Sequence, residues 1–310
     1  MAAPFPSEGP GAGRPRLEVV DAQVHTWESE SPRWPWDPTY GQGHAVAAVT
    51  RAANRASPVP HTALVEAMDA AGVDAALIVT SSIYGYDNGY SFDAVDRHPG
   101  RFGVVGKLDP GAAGLEEAVT RWRDRPGALG LRVVATSALQ RAQLESGHFD
   151  RLFGLAERFG VPVCVYPPRA LGLIPRIAAR FSELTLVIDH LGLAQPPLME
   201  PDPEPWMSLP ELLALARYPN VAVKLTAVPS LSGRPHPYPD VWPAVHQVLD
   251  AFGLDRALWG SDWTRVRPLL GYREGVTWIL ESSELSRGDK ERLLGLTLRR
   301  LFRWDRSLSR

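Results

Sequence analysis

From residue 17 onward, short apolar runs alternate with longer stretches of helical periodicity, the pattern of repeated strand-helix units around a parallel sheet. The spacing predicts strands at 17–25, 74–80, 103–109, 128–134, 162–167, 185–192, 221–228 and 257–263. Gly72, Gly160 and Pro219-Asn220 stand before three of them as helix-stop signals. Helices are expected around 61–72, 89–98, 114–125, 148–160, 171–181, 207–217, 240–252 and 268–285, with a last one at about 288–302. Eight units, and no Gly-x-Gly-x-x-Gly after an early strand, favour an α/β fold of the (β/α)8 TIM-barrel type over an open dinucleotide-binding sheet. Three connections are long for such turns: 26–60, 193–206 and 229–239, the loops after strands 1, 6 and 7. Each follows a strand, which assigns all three to the C-terminal face, where barrel enzymes carry their chemistry. Residues 1–16, rich in Pro, Gly and Ala, read as a flexible tail, and 17–310 as one barrel domain.

Composition narrows the partners. The chain has 310 residues, 45% of them hydrophobic and 22% charged, with a formal charge of -2. That balance gives no electrostatic reason to expect nucleic acid or a membrane, so a small molecule is the expected partner. Cys164 is the single cysteine, so one chain builds neither a disulfide framework nor a thiolate zinc site, and a cytoplasmic location fits. The first sixteen residues lack the apolar stretch of a secretory signal. A homo-oligomer is compatible with the sequence without being required by it.

Polar side chains collect at the predicted strand ends. Gln23 and His25 lie on strand 1, Tyr84 just after strand 2, Arg132 on strand 4, Tyr166 on strand 5, His190 on strand 6, Lys224 on strand 7 and Asp262 on strand 8. In a parallel barrel such ends converge on one pocket. Gln23 and His25 are two apart, so they share a strand face, expected to be the interior. One histidine at a strand end is often only structural, but two plus an aspartate on separate strands point to chemistry. Arg132 and Lys224 read equally as substrate contacts or as structural charges, and Tyr166 more readily as a packed aromatic. Cys164, flanked by valines, reads as core. His44 and His236 sit on the long loops. In the first of these loops, SPRWPW carries Trp34 and Trp36, either packed within an Ω-loop or forming a lid over the substrate.

The motifs DAQVHTW (21–27), SSIYGYDNGY (81–90), GLR (130–132), IDHLG (188–192), VKLT (223–226) and WGSDW (259–263) together make the chain resemble the amidohydrolase superfamily. The likeness is to its amidohydrolase-related branch of 2-pyrone-4,6-dicarboxylate lactonases, L-fuconolactonases and related decarboxylases. It implies a (β/α)8 barrel with a His-x-His pair on strand 1, a later His and an Asp on strand 8. Carried over by position, these are His25, His190 and Asp262, with Gln23 where the first His would stand. An amide is a poor zinc ligand, so the resemblance implies no required cofactor, or one weakly bound Zn or Mn on His25, His190 and Asp262, with Gln23 as a weak fourth ligand. At the positions of two substrate-binding arginines stand Leu193 and Ser230, implying a less anionic substrate. The function implied is a hydrolase that opens a lactone or similar cyclic ester. Asp262 would act as general base and His25 and His190 would act on the carbonyl. Arg132, Lys224, Tyr84, Tyr166, Trp34 and Trp36 would hold the substrate. The rivals are a metal-dependent decarboxylase, a rarer metal oxygenase, and an inactive ligand-binding barrel.

Overall fold

A computed structural model of the chain describes residues 16–41, 45–197 and 204–305; the expected tail, apart from Arg16, and His44 lie outside them. Eight strands run parallel in sequence order: β1 (Val20–Val24), β2 (Ala75–Val79), β3 (Phe102–Gly106), β4 (Ala128–Val134), β5 (Val163–Tyr166), β6 (Leu186–Ile188), β7 (Val221–Thr226) and β8 (Ala257–Gly260). They curl into a nearly closed barrel with helices on its outside, the expected (β/α)8 architecture.

Two apolar layers follow from the alternation of the strands. Val20, Ala22, Leu77, Val79, Val105, Cys164, Val187, Ala222 and Leu258 fill the interior. Leu298, Phe302 and Trp304, in and just after the helix Thr297–Phe302, close its lower end. The larger cluster lies between strands and helices. Helix ends follow the expected signals: after His61–Ala71, Gly72 turns left-handed (φ 76°) and Val73 N–H reaches back to the Met68 carbonyl at 2.9 Å.

The seam between β1 and β8 is closed through a side chain. Asp21, fully buried on β1, accepts from Ser261 N–H (2.9 Å), Gln23 N–H (2.9 Å), the Tyr272 hydroxyl (2.8 Å) and the Ser261 hydroxyl. Just above it, Asp262 N–H donates to the Gln23 carbonyl at 2.9 Å. These bonds supply the link between first and last strands that a continuing ladder would otherwise give.

The structure departs from the expected elements in three places. The connection after β1 contains a helix, Ala45–Ala56, and its base is tied by an antiparallel Trp27–Val59 bridge. A second helix, Ala138–Glu145, precedes Asp150–Arg158, nucleated by a Ser137/Gln140 capping box. Strands β6 and β8 also stop two residues short of His190 and Asp262, because both residues take positive φ (54° and 47°) and leave the ladder.

Replacing Asp21 by Ala leaves several buried donors without an acceptor. Urea unfolding should show a loss of about 3 kcal/mol. A loss under about 1 kcal/mol would mean that the seam does not depend on this carboxylate.

Candidate active site

The floor of the barrel mouth is a buried charge network. Asp189, one residue past β6, receives Arg132 Nε from β4 on Oδ2 at 2.9 Å and pairs through Oδ1 with Lys224 Nζ from β7, also at 2.9 Å. Burial alone would raise this carboxyl; the two cations outweigh it and hold the group below its ordinary value. Lys224 behaves in mirror image: desolvation acts against its charge, yet Asp189 carries the ammonium above its usual range. The same Nζ donates to Gln23 Oε1 at 2.8 Å. Expected as a candidate substrate contact, Lys224 is wholly buried and engaged on both sides. Its grip on Gln23 orients the amide, turning Nε2 toward His25 Nε2 at 3.4 Å.

Above this floor stand the three residues expected to carry chemistry. His25 Nδ1 lies 2.7 Å from the Val79 carbonyl, which requires the proton on Nδ1 and leaves Nε2 as a lone pair. That Nε2 is 3.5 Å from Asp262 Oδ1, and His190 Nδ1 is 3.8 Å from Asp262 Oδ2. Among the described residues neither carboxylate oxygen of Asp262 and neither ring nitrogen of His190 has a hydrogen-bond partner. Arg265 Nε lies 3.4 Å from Asp262 Oδ2. Burial pushes Asp262 up to about 7, while Arg265 and Arg132 pull it back down. Burial pushes both histidines well below the usual imidazole value, reinforced by Arg132 and Arg265, so both are neutral near pH 7.

Backbone strain is concentrated at the same point. His190, Leu191 and Gly192 take φ values of 54°, 58° and 68°, three left-handed residues in succession. A side chain at Gly192 would meet Leu171 Cδ2 at 2.4 Å, so the turn needs glycine both for its φ and for this approach. Left-handed backbone at a non-glycine residue costs on the order of 1 kcal/mol or more and collects where a site holds side chains in place.

The aromatic candidates divide into two groups. Tyr166 packs edge-on to His190 with ring centroids 4.6 Å apart, and its hydroxyl donates to the Leu193 carbonyl, so it supports the histidine. Tyr84, Trp34 and Trp36 belong to the packed loop on the β1–β2 side: Tyr84 Oη accepts from Glu28 N–H, Trp36 Nε1 donates to the Glu28 carbonyl, and Trp34 stacks edge-on to Tyr90. Leu193 is buried, and the Ser230 hydroxyl is spent on the Ala227 carbonyl. His236 is exposed, with Nε2 3.1 Å from Thr277 Oγ1. Asp189, Asp21, Arg265 and Lys107 were not among the candidates, although Asp189 lies inside the IDHLG motif.

The donor set does not fit a tightly held divalent ion. Among the described residues no group of three or more His, Cys, Asp or Glu side chains is disposed to hold a metal. The position of a further imidazole belongs to Gln23, whose oxygen is committed to the Lys224 ammonium, and Arg265 lies beside Asp262.

A parallel barrel that gathers a buried carboxylate and two imidazoles at its C-terminal mouth defines a barrel enzyme. The amidohydrolase family model matches residues 20–304, and the chain belongs to that family. It is 31% identical over 208 residues to a 4-sulfomuconolactone hydrolase of Hydrogenophaga intermedia, covering 66% of this chain and 65%, just under two thirds, of that relative. It is 27% identical to an L-fucono-1,5-lactonase of Burkholderia ambifaria, over 84% of this chain and 85% of the relative. Solved structures share the fold. An amidohydrolase from Burkholderia multivorans with bound zinc superposes with a TM-score of 0.71 at 24% identity, covering 92% of this chain and 99% of that one. A 5-carboxyvanillate decarboxylase from Sphingomonas paucimobilis does so with 0.69 at 15%, covering 93% and 99%. No helix among the described residues is long and apolar enough to cross a membrane.

Replacing Lys224 by Met strands one Asp189 oxygen and the Gln23 amide in the interior. Chemical denaturation should register a loss of about 3–5 kcal/mol. An unchanged midpoint would remove Lys224 from the supporting role given to it here.

Proposed function

We propose that this site hydrolyses a lactone or similar cyclic ester, with Asp262 as the general base. The observation that carries the reading is the Asp262 carboxyl: buried, without a hydrogen-bond partner among the described residues, and held at about 7 by burial against two arginines. A base is most effective when its pKa lies near the working pH, and an unpartnered carboxylate is free to take a proton from water. His25 Nε2, 3.5 Å from Asp262 Oδ1, already accepts from the Gln23 amide Nε2 at 3.4 Å, so the ring stands as a fixed wall beside the carboxylate and confines the water rather than taking a hydrogen from it. This differs from a role on the carbonyl, because the only proton of the neutral His25 ring is committed to Val79. His190, whose ring nitrogens have no hydrogen-bond partner among the described residues, can donate to the oxyanion, with Arg265 supplying positive charge nearby.

The lactone hydrolase names of the curated relatives support the same class of substrate, a small cyclic ester. No step in this scheme is routed through a metal. The committed Gln23 amide and the cations on the floor support turnover with at most a weakly held Zn or Mn. Metal-dependent decarboxylation is the reading that metal analysis would raise: stoichiometric metal, with activity lost to a chelator, would favour it.

Two outcomes test the proposal. Asp262→Asn should lower kcat on an opened lactone by about 100-fold or more, and unchanged turnover would remove Asp262 as base. A base acts when ionised, so wild-type kcat/KM should fall as the pH drops below about 7, following the Asp262 carboxyl; a flat profile between pH 5 and 8 would contradict this.

A further inference from the structure

Opposite Asp262 the barrel mouth holds a cation that the scheme above does not use. Val105 on β3 faces the barrel interior, so Lys107, two residues on and just past the strand, faces inward as well. In the cyclic strand order β8, β1, β2, β3, it stands three positions from Asp262, most of the way across an eight-stranded mouth. The lysine is only 9% exposed, and among the described residues no carboxylate is ion-paired with it, Asp37 acting on it only from a distance. Among the described residues Nζ donates to Ser82 Oγ, 2.9 Å away, just beyond β2.

The backbone beneath it is built to keep it there. The Asn88 amide grips Lys107 at two points, donating from Nδ2 to its carbonyl and accepting its N–H on Oδ1, both at 2.9 Å. Only glycine at position 106 permits that approach: a Cβ there would lie 2.5 Å from Asn88 Oδ1 and 2.4 Å from the Trp122 ring. A desolvated lysine without a counter-ion is costly, and a dedicated clamp that holds one at the mouth calls for a use.

We propose that Lys107 is the general acid of the reaction, giving its proton to the leaving oxygen as the ring opens. This rests on the lactone-hydrolase reading. Asp262 takes a proton from the attacking water on one side, and a tetrahedral intermediate forms. The ring C–O bond then breaks, its electron pair passes to the ring oxygen, and that oxygen takes a proton from Lys107 Nζ. Solvent restores the lysine proton, and Asp262 releases its own. Ser82 accepts an N–H and so aims the ammonium; it is a positioning residue. Burial, with Arg132 alongside, brings the amine down to about 7 while Asp37 opposes the shift, so it parts with a proton more readily than an exposed lysine does.

The test varies the leaving group. Opening δ-valerolactone expels an alkoxide, which needs a proton; opening dihydrocoumarin expels a phenoxide, which needs it far less. Lys107→Met should lose about 100-fold in kcat on δ-valerolactone and under about 5-fold on dihydrocoumarin, the retained turnover also showing that the variant is folded. Lys107→Arg keeps the charge but cannot release a proton, and should stay as slow as Lys107→Met on the alkyl lactone. Equal losses on both lactones, recovery by arginine, or a change in KM alone would overturn the assignment. Wild-type protein that opens neither lactone would instead bring down the lactone-hydrolase reading, and it is seen before any Lys107 variant is assayed.

Discussion

One carboxylate organises the mouth of this barrel. Asp189 draws Arg132 from β4 and Lys224 from β7 onto itself, and Lys224 then reaches across to Gln23 on β1. Four strands are thereby tied together through the interior by side chains. Two buried cations on one buried anion repay their desolvation only when the geometry is close, and each polar contact here is 2.9 Å or less. The orientation of Gln23, and through it the surroundings of His25, depends on this arrangement. With Asp189 engaged by two cations, Asp262 is left as the carboxyl at the mouth that has no hydrogen-bond partner among the described residues.

The charge balance explains how two aspartates so close in the fold behave in opposite ways. Asp189 meets Arg132 and Lys224 directly and stays ionised. Asp262 has Arg265 only at 3.4 Å, feels Asp21 and Asp189 as like charges, and is pushed up to about 7. Both are fully buried, so burial does not separate them; the distance to the nearest cation does. Pairs of carboxyls divided in this way are a recurring means of setting one group to structure and another to proton transfer.

Much of the fold was legible in the sequence because each strand is a short apolar run bounded by stop signals, and eight of them in alternation with helices leave few architectures. The convergence of His25, His190 and Asp262 was legible for the same reason: parallel strands put their ends together. The supporting charges were not. Asp21 and Asp189 sit within apolar strands or just past them, and their partners lie from 2 to 251 residues away in sequence. No local pattern marks such a pair. In the sequence Lys224 therefore reads equally as a ligand contact or a structural charge, and it is the fold that sets Asp189 beside it. The left-handed turns at His190 and Asp262 are not legible in the sequence because, although Asp and His adopt positive φ more readily than most residues, the great majority of each do not.

The seam at Asp21 gives the molecule an order of failure. Gln23, His25 and Asp262 flank the one junction that the described bonds close through a side chain and a few backbone contacts rather than a strand ladder. Partial opening there would separate Asp262 from His25 while the other seven strand pairings stay intact. On warming, catalytic competence would fade first and helical content later, so the temperature at which this protein stops working would lie below the one at which it melts.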